Sequence, residues 1–99
     1  MTHPVATTIL QQLGSNKFIA MTGAKNFLGS ATALTFRFPH PDRKAPNGMR
    51  IELDANDTYT MISYRIRGAR CDVAAREEGV YAEDLQRLFT NMTGLDTHL

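Results

Sequence analysis

From Thr32 to Asp54 the sequence twice alternates apolar and polar residues, and this period of two limits the possible folds more than any other feature. Leu34, Phe36 and Phe38 share one side of the first segment, and Thr35 and Arg37 share the other. In the second, Met49, Ile51 and Leu53 alternate with Arg50, Glu52 and Asp54. Successive side chains of a strand point to opposite faces, so each segment reads as a strand with one buried and one solvated face. Such strands belong to antiparallel sheets, since parallel sheets are covered on both sides. The Pro39–Gly48 link between them holds three prolines and ends in Asn47-Gly48. That composition predicts an exposed loop, the segment of the chain expected to be most mobile.

The flanking segments extend the pattern. Lys17 to Thr22 is apolar on both sides and reads as a buried strand, followed by a loop from Gly23 to Ser30. Tyr59 to Ile66 reads as a strand whose apolar phase slips: Tyr59 and Met61 share one face, and Ile62, Tyr64 and Ile66 share the other. A β-bulge between Met61 and Tyr64 would reconcile them. Arg67-Gly68-Ala69 is a tight turn, and Cys71, Val73 and Ala75 read as the inner face of a last strand. Both ends read as helices. Pro4 suits a first helical position, Val5, Ile9, Leu10 and Leu13 form a stripe, and Gly14 is a stop. Tyr81, Leu85, Leu88, Phe89 and Met92 form the stripe of the second helix, with Glu83 and Asp84 at its positive end and Gly94 as its cap. Strands joined by short turns make a meander. The expected fold is therefore α+β: about five antiparallel strands with an N-terminal and a C-terminal helix packed on one face, as a single domain over residues 1–99.

A chain of 99 residues with 42% hydrophobic and 21% charged residues has enough apolar content for one core. No apolar run approaches the length of a membrane span. The first residues show neither a basic region nor an apolar core of a secretory signal, and the one cysteine excludes an internal disulfide. The expected compartment is the cytoplasm of a host cell.

Catalytic motifs are absent. Gly23-Ala24-Lys25 resembles the end of a phosphate-binding loop, but Phe18 stands where the first glycine belongs and Asn26 follows the lysine. His3, His40 and His98 lack companions at metal-ligand spacing. Cys71, on an alternating strand, is expected to be a buried and inert thiol. Glu77-Glu78 and Glu83-Asp84 are adjacent pairs that do not share a helix face. Neither a metal nor a cofactor is expected.

The charge pattern carries more. Residues 17–70 hold nine basic side chains against four acidic ones, and residues 71–99 hold two against six. Arg65, Arg67 and Arg70 surround one turn, Arg43 and Lys44 lie in the proline-rich loop, and Arg37 and Arg50 fall on the polar side of neighbouring strands. With Tyr59 and Tyr64 as stacking surfaces, an arginine-rich sheet face would bind nucleic acid. The same residues also suit a protein-binding surface, or an ordinary solvated one.

Three segments resemble a family of small proteins encoded by bacteriophages and prophages. They are Gln12 to Phe27 (Gln-Leu-Gly-Ser-Asn-Lys-Phe-Ile-Ala-Met-Thr-Gly-Ala-Lys-Asn-Phe), Ile51-Glu52-Leu53 through Tyr59 to Arg65-Ile66-Arg67-Gly68, and Gly79 to Gln86 with Phe89-Thr90, Thr93-Gly94-Leu95 and Thr97-His98-Leu99. The resemblance spans nearly the whole chain and departs from the family mainly between Pro39 and Gly48. It carries over no site residues. It implies a small protein that acts by binding, against a host defence, on a host enzyme or in phage nucleic-acid metabolism. The leading expectation is a non-enzymatic, phage-derived intracellular protein that binds a host or phage protein, with inhibition of a nucleic-acid-dependent host defence as one such role. The alternatives are a nucleic-acid-binding domain using the arginine face, and an enzyme whose active site forms only in an oligomer.

Overall fold

A computed structural model describes residues 4–42 and 44–95. Helices α1 (Pro4–Leu13) and α2 (Ser15–Thr22) come first, followed by strands β1 (Lys25–Gly29), β2 (Ala33–Arg37), β3 (Gly48–Leu53), β4 (Tyr59–Arg67) and β5 (Arg70–Val80). A short 3-10 turn (Ala82–Asp84) leads into α3 (Leu85–Thr93). The five strands lie side by side in chain order and every pair is antiparallel. This is the expected α+β meander. Ile9 and Leu13 of α1, Phe18 of α2 and Phe89 of α3 are buried against Leu34, Phe36, Met49 and Ile51 of the sheet. The alternation read between Thr32 and Asp54 thus marks the inner surface as anticipated.

The first strand is not where the sequence placed it. Lys17 to Thr22 is helical, as part of α2. Gly14 sits at φ 118, a conformation that ends α1 and lets the chain restart at an angle. Phe18 and Thr22, four residues apart, then face the core, while Lys17 and Met21 stay exposed. The Thr22 hydroxyl donates to the Phe18 carbonyl at 2.7 Å. A short apolar run has no period that separates helix from strand, and here packing against Phe36 and Phe89 decides. The expected loop from Gly23 to Ser30 supplies β1 instead, an edge strand that pairs with β2 through a bulge between Lys25 and Leu28.

Two further expectations are corrected along β4 and β5. β4 is regular: Tyr59, Met61 and Ser63 are buried on the inner face, and Ile62, Tyr64 and Ile66 are half-buried on the outer one. Its apolar pattern reflects two apolar faces, not a slip. The bulges lie in β5, where the register moves two residues against one beside Ser63/Tyr64 and three against two between Tyr59 and Met61. Cys71, Val73 and Ala75 do not form an inner face, because every β5 residue before Val80 is exposed. β5 is the far edge of the sheet, and apart from Val80 the buried inner-face residues lie on β2 to β4. Tyr81 likewise precedes α3 and is 60% exposed, outside the stripe it was expected to join.

Burial ranks the core positions. Phe36→Ala is expected to cost about 3 to 5 kcal/mol, and the half-buried Leu88→Ala clearly less, as read from urea denaturation midpoints. Equal losses at the two sites would contradict this packing.

Candidate functional site

The site begins with a hairpin. β4 and β5 are joined by Gly68-Ala69, and the register sets Arg67 opposite Arg70 and Arg65 opposite Asp72. Gly68 has φ 57, which the first position of this two-residue turn requires. Alternation then sorts the ribbon into two faces. Arg65, Arg67, Arg70 and Asp72 share the helix side, while Tyr64, Ile66, Cys71 and Val73 share the outer side.

The proline-rich loop lies beside the charged face, and hydrogen bonds tie it at both ends. The Phe38 N–H donates to the Asn47 carbonyl at 3.0 Å, and the Asn47 N–H donates to Tyr64 at 2.9 Å. The Asn47 side chain then continues the β3–β4 ladder past its end. Its Nδ2 donates to the Ile66 carbonyl at 3.0 Å, and the Ile66 N–H donates to its Oδ1 at 2.7 Å. His40 Nε2 donates to the Thr93 carbonyl at 2.8 Å and its Nδ1 accepts the Asp42 N–H at 3.0 Å. The Asp42 carboxylate accepts the Lys44 N–H at 2.9 Å. The exposed loop predicted from composition is therefore latched to α3 at one point and to β4 at another.

Between loop and ribbon lies an open hollow of about 700 Å³ lined by Lys44, Arg65, Arg67, Arg70 and Asp72. Arg67 also borders a neighbouring depression beside His40 and Asn47. The one carboxylate among its described lining residues is already engaged, since Arg70 Nε donates to Asp72 Oδ2 at 2.9 Å. Arg65 and Arg67 have no ion-pair partner among the described residues. Like charges directly opposed across a hairpin disfavour it, so the Arg67/Arg70 pair contributes nothing to folding. Guanidinium groups stay charged at every accessible pH and present paired donors to an oxyanion. Such an arrangement can hold an anion.

The structure divides the residues singled out in the sequence. It brings Lys44, Arg65, Arg67 and Arg70 together. Arg37 and Arg50 lie on the opposite face of the sheet, and Arg50 is paired with Glu52 at 3.3 Å. Arg43 lies outside the described residues, as do His3 and His98. Tyr59 is buried in the core and Tyr64 lies on the outer face, so neither offers a stacking surface to the hollow. Cys71 is exposed, not buried, and stands on the outer side of the ribbon away from Asp72. Asp72 is the member that sequence reasoning missed. Its signal was its spacing, two residues from Arg70 and across the turn from Arg65.

Among the described residues no group of three or more His, Cys, Asp or Glu side chains could hold a metal ion, and no helix is long and apolar enough to cross a membrane. No protein-family model matches the chain, and no curated protein or solved structure matches it either.

Two expectations follow from this geometry. Asn47→Ala leaves the Ile66 N–H and carbonyl without their partners and is expected to cost about 1 to 3 kcal/mol in chemical denaturation. A cost near zero would mean that the amide does not hold the ribbon. Separately, burial raises the Tyr59 phenol above its ordinary 10.0, with the Asp57 charge acting in the same direction. The folded state then retains this proton longer than the unfolded chain does. The stability it contributes is complete below pH 10.0 and is lost as pH rises through the raised value. Melting temperatures of Tyr59→Phe should fall less steeply above that pH than those of the parent, and identical slopes would refute the assignment.

Proposed function

We propose that this chain is a non-enzymatic binding domain of phage type that holds phosphate groups of a nucleic acid in the hollow between the proline-rich loop and the β4–β5 ribbon. The observation that carries the reading is the convergence of Lys44, Arg65, Arg67 and Arg70 on one hollow where Asp72, the one carboxylate among the described lining residues, is already bonded to Arg70. A fold of near-neutral net charge that concentrates cations at one place directs its field there. Phosphodiesters are the abundant polyanions that arginine forks match geometrically. The resemblance to phage-encoded proteins supports a setting inside an infected cell, where host defence and phage replication both work on nucleic acid.

The open outer face of the sheet supports a second reading, in which the protein also binds a host or phage protein. Leu28 is 70% exposed and Val73 60% exposed at opposite edges of that face, with Ile62, Tyr64 and Ile66 half-buried between them. A protein that engaged both a nucleic acid and a polypeptide would suit the inhibition of a nucleic-acid-dependent defence.

Fluorescence anisotropy of labelled nucleic acid across a salt series tests the first reading. Each phosphate neutralised contributes a slope of about −0.9 in log affinity against log salt for duplex DNA. Lys44→Ala with Arg65→Ala should weaken binding and flatten that slope by about two units, whereas Arg37→Ala with Arg50→Ala should leave both unchanged. Absence of binding at low salt would refute it.

A further inference from the structure

We infer that the end of the β4–β5 hairpin is a ribbon that enters the major groove of B-form duplex DNA, with Arg67 and Arg70 at base edges and Lys44 and Arg65 on flanking phosphates. The inference rests on the phosphate-binding reading and narrows its ligand to one class.

Shape is the first argument. β3 begins at Gly48, opposite Tyr64, while β4 continues through Arg65, Ile66 and Arg67 before the turn. At about 3.3 Å per residue strand pairing on that side stops about 10 Å short of the turn, and beyond Gly48 only the proline-rich loop flanks the ribbon, through the Asn47 amide at Ile66. β5 is the sheet edge, so no strand covers the other side of the ribbon. Two strands about 4.8 Å apart, with their side chains, fit a groove about 12 Å wide and about 8.5 Å deep.

Charge placement is the second. Arg67 and Arg70 stand opposite each other beside the turn, at the position that would travel deepest into a groove. A guanidinium fork there matches the O6 and N7 acceptors that guanine presents in the major groove. Arg65 lies two residues further back on the same face, and Lys44 stands on the loop across the hollow. Both are placed for the backbone rather than the base edges.

The third argument concerns what the hollow lacks. Its described lining residues include no aromatic side chain. Single strands are held largely by stacking on aromatic rings, in addition to charge. A cationic hollow without such rings gains most from the densely charged duplex. The major groove of A-form RNA is deep and too narrow for side chains to read, so the ribbon should also distinguish DNA duplexes from RNA duplexes.

The test is anisotropy of the full chain with three probes at one salt concentration: a short guanine-containing DNA duplex, the RNA duplex of the same sequence, and one DNA strand alone. The DNA duplex should bind at least about tenfold more tightly than the other two, a factor within reach of one bidentate base contact. Replacing its guanines by 7-deazaguanine should remove most of that preference. Arg67→Ala with Arg70→Ala removes both base-edge forks, so it should abolish the sensitivity to 7-deazaguanine, which the parent and Arg65→Ala should both retain. Arg65→Ala should weaken all three probes alike. RNA duplex or single strand bound as tightly as the DNA duplex, with Arg65→Ala still weakening all of them, would overturn the groove assignment and leave phosphate binding intact. No binding of any probe at low salt would overturn both.

Discussion

Phe18 of α2 meets Phe36 of β2 at 5.4 Å between ring centroids and Phe89 of α3 at 5.0 Å, both edge to face, and Phe38 meets Phe89 at 5.3 Å. This cluster fixes two helices on the sheet, and the remaining architecture depends on where it sits. Such pairs contribute about 0.5 to 1.5 kcal/mol each beyond the area they bury. Because the rings gather over β2 and its neighbours, the helices cover the middle of the sheet and leave β5 and the far end of β4 bare. Phe38 also anchors the start of the proline-rich loop, and His40 reaches from there to the end of α3.

The charged hollow is a consequence of that arrangement. A helix packed over the β4–β5 turn would bury Arg65, Arg67 and Arg70 at a cost that Asp72 alone could not offset. With the helices elsewhere, the cations stay solvated and the loop supplies Lys44 from the opposite wall. Asn47 matters here out of proportion to its size: its amide substitutes for a missing residue of β3 and supports the ribbon where the sheet ends. The same one-sided covering leaves the outer face, with Leu28 and Val73, without a layer of its own.

Much of this was legible in the residues. The strands containing Leu34, Phe36, Met49 and Ile51 followed from alternation, since a half-buried strand cannot hide its period. The cationic cluster at the Gly68 turn followed from sequence proximity. Other features were not legible, for identifiable reasons. Lys17 to Thr22 is too short and too uniformly apolar for periodicity to separate helix from strand. Ile62, Tyr64 and Ile66 mimicked a slip of phase because apolar residues on an exposed sheet face look like core residues. Cys71 and Val73 alternate as an inner face would, yet whether an alternating strand is covered depends on helices far away in the chain.

The amino-acid sequence by itself determined the α+β class, the antiparallel meander and the local charge at the hairpin, because each depends on neighbours within a few residues. Only the tertiary structure decided which cations act together. It separated Arg37 and Arg50 from Arg65, Arg67 and Arg70 by the full thickness of the sheet, and it carried Lys44 across from a loop about twenty residues earlier in the chain. The parity of a side chain in its strand can be read from the sequence. The side of the sheet that the helices cover is set by packing among Phe18, Phe36, Phe38 and Phe89, and that long-range choice turned scattered basic residues into one hollow.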